Sequence, residues 1–261
     1  MLTTHAEMRY GNLPIPDRSK LQPIEKDGAL EEAIRNYKEL CSKYNIILSL
    51  HVHTIERLCE MAEEYMYPIL APQQINMFLA AIAGYGTEST RGAAVNALMK
   101  KSYENGNTKF DFVIPPHCTI AEFGSMLKGT IQPYKIHVRG NLKSNSFYRS
   151  ERVHAQVNGN VSSFTGEYGR ELNLDFLGTV DSPAAAEAAF STFHFHKGLK
   201  GHATHLFGKM VLVGRGASQC VFKVYDEQTF SNIPKTVMTL GYSNTLQLIG
   251  EHNEPLEERL I

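Results

Sequence analysis

One phrase recurs three times at a fixed interval, and it restricts the fold of this chain more than any other feature. Gly140-Asn141-Leu142-Lys143-Ser144, Gly159-Asn160-Val161-Ser162-Ser163 and Gly178-Thr179-Val180-Asp181-Ser182 share the form G-[N/T]-[L/V]-x-S, with the glycines spaced 19 residues apart. The positions two and four residues upstream of each glycine are also apolar: Val138, Val157 and Phe176, then Ile136, Ala155 and Leu174. Alternation of this kind marks strands with one buried face. The C-terminal half, residues 108–261, is therefore read as a β-rich domain.

Two architectures fit the repeat. Self-similarity at such a period is the mark of a solenoid, for which three turns are about the minimum. The phrase is not repeated after Ser182, however, and the intervening segments 145–150 and 165–170 suit loops between antiparallel strands. Gly241-Tyr242-Ser243-Asn244 and the turn near Asn253 also have hairpin character. The reading favours an antiparallel sandwich or barrel, with a short β-solenoid as the alternative. Ala-rich residues 183–190 read as a helix interrupting the strands.

Upstream the period changes. Residues 1–27, with Pro14, Pro16 and Pro23, read as an extended arm, and residues 28–107 as a helical domain, giving an α+β chain. Leu30, Ala33, Ile34, Tyr37, Leu40 and Cys41 fall at helical spacing. A short strand is expected over 46–53, and a second helix capped by Thr54. A third, starting at Pro72, looks central because residues 77–83 are apolar on nearly every side; a fourth covers about 90–103.

Composition excludes several classes. Apolar residues make up 43% and charged residues 20%, as in an ordinary globular protein, and the net charge of −1 supplies no general attraction for nucleic acid or anionic membrane. No apolar run approaches the length of a membrane span. The four scattered cysteines read as reduced, buried thiols, and the expected location is cytoplasmic.

Three histidine arrangements carry candidate chemistry. On a strand, His194 and His196 share one face, and His202 lies across a glycine turn, a set suited to a divalent transition metal. Phe193-His194-Phe195-His196 loosely resembles the H-x-H of cupin metal sites, although Leu199 and Lys200 stand where that pattern has a glutamate. His117-Cys118-Thr119 and His202-Ala203-Thr204 resemble the paired H-x-T triplets of two-histidine phosphoesterases. That resemblance implies acid and base roles for His117 and His202, and oxyanion binding by Thr119 and Thr204. Leu50-His51-Val52-His53-Thr54 resembles the opening metal motif of polymerase and histidinol phosphatase-type phosphoesterases, with Ser49 in place of its aspartate.

None of these motifs is complete. The reading that follows is a non-catalytic structural or assembly protein, a homo-oligomer or larger assembly without a cofactor, with Phe147, Tyr148 and Phe164 as interface residues. The alternative is a histidine-based hydrolase, phosphodiesterase-like or metal-dependent, centred on His117 and the 194–205 cluster. A basic, aromatic patch around Arg149, Arg152, Arg170 and Tyr168 is weakened as a nucleic-acid surface by neighbouring glutamates.

Overall fold

The structure is a computed structural model of the chain. It describes residues 28–48, 54–181, 183–197, 199–200, 202–204, 208–210, 217–228, 230–231, 243–250 and 253–260. The proposed N-terminal arm, His51, His53 and the first half of the 241–244 hairpin lie outside the described residues.

Four helices come first: α1 (Gly28–Leu48), α2 (Ile55–Tyr65), α3 (Pro72–Ile82) and α4 (Glu88–Glu104). The Thr54 hydroxyl accepts from the Arg57 amide at 3.1 Å and so caps α2. Pro72 opens α3, where its missing N–H costs nothing. Residues 46–48 continue α1 instead of starting a strand.

The central helix is α4, not α3. Met77, Ala80 and Ala81 leave one face of α3 exposed, whereas every residue of α4 from Thr90 to Met99 is buried. Small side chains permit this. A Cβ on Gly92 would lie 1.8 Å from the Ala121 carbonyl oxygen, so the helix backbone rests directly on the first loop of the β region. The Asn96 carboxamide reinforces the junction, donating to Glu122 O and accepting from Gly124 N, both at 2.7 Å.

The β region contains β1 (Lys109–Val113), β2 (Tyr134–Arg139), β3 (Val153–Asn158), β4 (Asn173–Phe176), β5 (Val180–Asp181), β6 (Thr192–Phe195), β7 (Leu199–Lys200), β8 (His202–Thr204), β9 (Gly208–Met210), β10 (Val221–Val224), β11 (Thr245–Ile249) and β12 (Pro255–Leu260). Eight of them form one sheet in the order β1-β2-β3-β4-β6-β10-β11-β12. Every pairing in it is parallel except β11 with β12. This overturns the antiparallel sandwich or barrel. The segments 140–152 and 159–172 do not fold back as hairpin loops. Each carries the chain around a closed coil and returns it to the same sheet edge in the same direction, for which about a dozen residues suffice.

Coils stack in register. Tyr134 pairs with Val153, His154 with Asn173 and Asn173 with Thr192. Away from the sheet, parallel bridges join Leu142 to Val161 and Val161 to Val180, and Glu151 to Arg170 and Arg170 to Ala189. The repeated phrase now has a physical account. Each glycine lies against the backbone of the one before, since a Cβ on Gly159 would meet Gly140 O at 2.0 Å and one on Gly178 would meet Gly159 O at 2.2 Å. At the next position Asn141 Oδ1 accepts from Asn160 N at 2.8 Å, and Asn160 Oδ1 from Thr179 N at 3.0 Å. Leu142, Val161 and Val180 then turn inward.

The core is a set of columns running through the coils. Leu174, Phe193 and Phe222 are fully buried, with the two phenylalanine rings stacked at 5.6 Å; Phe176 stacks on Phe195 at 5.8 Å. Residues 183–190 form a coil corner, not a helix. Ala185, Glu187 and Phe190 take positive φ, and Ala184 and Ala189 bridge to the coil before. Alanine is favoured there because Ala184, Ala185 and Ala188 point into a narrow interior, which outweighs its helix propensity. All four cysteines are free and buried, and among the described residues no helix is long and apolar enough to cross a membrane.

Candidate metal centre

Alternation along each strand sends every second side chain of the sheet outward. In-register stacking then aligns those side chains across the strands. One outward row reads Asp111, His137, Gln156, Asp175, His194 and Lys223. Asp175 on β4 is thus the direct neighbour of His194 on β6, and His196 lies two residues further on, past the end of β6.

Ligand-type atoms of Asp175, His194 and His196 all lie within 4.8 Å of one another. His196 Nε2 is 2.7 Å from Asp175 Oδ1. The aspartate and His196 side chains are partly buried, at 28% and 30% exposure, which shields them from bulk water while keeping them reachable. A second ring of contacts fixes their orientation. Gln156 Nε2 donates to Asp175 Oδ2 at 2.8 Å, leaving Oδ1 to face the histidines. The Tyr225 hydroxyl is 3.2 Å from His194 Nδ1, and the Tyr225 ring stacks on His196 at 4.0 Å. Outer hydrogen bonds of this sort orient metal ligands.

Electrostatics favour neutral imidazole at His194. Burial, then the neighbouring Lys223 ammonium, push its pKa below the ordinary histidine value, against a smaller opposing pull from Asp175. Burial and Asp175 raise the Tyr225 phenol above its usual range, so it remains a neutral hydroxyl. Two imidazoles and a carboxylate on one face form a donor set suited to zinc or iron(II), with coordination positions left open.

Other sequence candidates are placed differently. His117 is exposed in the loop after β1, and four sheet positions at about 4.8 Å each separate β1 from β6. It does not join the triad. Thr119 is occupied by Arg91, whose Nε donates to Thr119 O at 2.8 Å and Nη2 to Oγ1 at 3.3 Å. His202 and Thr204 are on β8, which pairs with β9, and their side chains lie outside the described ones. Phe147 is fully buried against Phe123 and belongs to the core, not to a contact surface. Tyr148 is half-buried beside Glu56, and Phe164 is 43% exposed. In the basic patch, Arg149 pairs with Glu56 and Arg152 with Glu171, both at 2.7 Å, so their charges are already engaged.

Sequence reasoning missed Asp175, Gln156 and Tyr225. The signal was available for the first two: Asp175 precedes His194, and Gln156 precedes Asp175, by the interval that separates the repeated glycines.

Beside the triad a groove of about 470 Å³ crosses the outer face of the sheet, with Asp175 and His194 at one end and Lys109, Lys135 and His154 toward the other. No family model, curated protein or solved structure matches the chain.

Proposed function

We propose that this protein binds a divalent transition-metal ion on the outer face of its β-stack, through Asp175, His194 and His196. The convergence of their three donor atoms within 4.8 Å carries the reading. Support comes from the orienting contacts of Gln156 and Tyr225 and from the lowered pKa of His194, which keeps a lone pair available near neutral pH. Lys223 weighs against a cation and lowers the affinity to be expected. Three protein donors leave room for an exchangeable ligand, and a Lewis-acid centre of this type suits hydrolytic chemistry.

The assembly reading takes second place. One edge strand of the sheet is β12, where Pro255 and the exposed side chains of Glu257 and Glu258 are features that discourage strand addition.

The test is titration of untagged, chelator-treated protein with cobalt(II) and zinc(II). We expect one ion per chain, a visible cobalt ligand-field spectrum, and loss of both in His194→Ala and Asp175→Asn variants that melt like the parent. Absence of saturable binding, or binding unchanged in both variants, would refute the reading.

A further inference from the structure

The groove beside the triad has an unusual wall. Lys109 on β1, Lys135 on β2 and His154 on β3 are direct neighbours in one outward row, followed by Asn173 on β4. Adjacent strands lie about 4.8 Å apart, so two ammonium groups and an imidazole are stacked at close spacing. Like charges directly opposite one another oppose pairing. Among the described residues neither lysine has an acidic side chain within ion-pair distance. The nearest carboxylate along the strand, Asp111, is 3.4 Å from His137 in the next row. Lys135 also helps to hold the His154 pKa below its ordinary value, although burial is the larger cause.

A juxtaposition of this kind is relieved by an oxyanion. From Lys135 to His194 is three strand spacings, roughly 14 Å, and the groove volume lies in the range of small-molecule sites. We infer that the groove takes an elongated small molecule whose oxyanion, phosphoryl or carboxylate, is held by Lys109, Lys135 and His154 while its far end reaches the Asp175–His194–His196 centre. The second half of this inference rests on the metal-binding reading; the lysine clamp does not. Amides of Asn173 and Gln156, along the floor between the two ends, offer hydrogen bonds to the middle of such a molecule.

Inorganic phosphate and acetate, titrated calorimetrically into metal-free protein, test the clamp. Saturable binding of either is expected, weakened about tenfold or more in the Lys109→Ala/Lys135→Ala protein, an effect of about 1.4 kcal/mol, and unchanged in Lys38→Ala, which removes an exposed lysine from α1. Preference for phosphate assigns a phosphoryl ligand, and preference for acetate a carboxylate. Both lysines are exposed, so the variant should fold; Lys135→Gln, which keeps the side chain's polarity, provides a second case. No saturable binding of either anion, or binding indifferent to both lysine variants, overturns the inference even if cobalt binds. Anion binding without cobalt binding leaves the clamp standing and removes the metal reading.

Discussion

The α-carbon of Gly159 sits so close beneath the carbonyl of Gly140 that an added Cβ would lie 2.0 Å from that oxygen. The obstruction is backbone, which cannot rotate away as a side chain can. Gly159→Ala should therefore cost about 1–3 kcal/mol or more, read as a lower urea midpoint. Unchanged stability would mean that the coils are not stacked this tightly.

Metal binding should appear in stability as well as in spectra. At a free zinc concentration one hundred times the dissociation constant, linkage adds about 2.7 kcal/mol to the folded state. The parent should melt at a higher temperature with zinc, and His194→Ala should not respond. An equal shift in both proteins would place the ion elsewhere.

Glu122, where α4 meets the first loop, is buried with one carboxylate oxygen unpartnered. Burial raises its pKa above the ordinary glutamate value, against a smaller lowering by Ser89. The folded state thus holds the proton more tightly than the unfolded one. Its stabilising effect is complete below the unfolded pKa and is lost as pH rises through the folded pKa. Glu122→Gln should stabilise the protein at neutral pH, by about 1–2 kcal/mol, with the advantage shrinking toward pH 4. Melts across pH 4–8 check this; a gap independent of pH would refute it.

Removing one member of the lysine pair should relieve repulsion. Lys135→Gln is expected to raise stability by about 0.2–1 kcal/mol in low-salt, anion-free buffer, with the gain disappearing at high ionic strength. A loss of stability in low salt would indicate that Lys135 has a favourable partner.

Much of the fold was legible from the chain. Helical spacing in Ala33, Tyr37 and Leu40, the Thr54 cap and Pro72 located helices because each reports a local rule. Pairing direction was not legible, since an alternating strand such as Tyr134–Arg139 buries the same side chains whether its neighbour runs up or down. The interval-19 register also outlasted the phrase that announced it: Thr192 stacks on Asn173 although no glycine phrase accompanies it. Stopping the repeat at Ser182 hid the pairing of Asp175 with His194. The two histidines were visible as an H-x-H; their carboxylate partner required knowing which residue lay one coil earlier.

Register stacking also constrains how this chain can change in length. Asp175 and His194 meet only because the path between them makes one complete circuit. A residue gained or lost within that circuit would have to be absorbed as a bulge at a corner, or the two side chains would drift out of phase. Insertion of an entire circuit between them would leave every strand intact and still part the pair, by one rung. Growth and shortening are therefore tolerated most readily outside that single loop of chain.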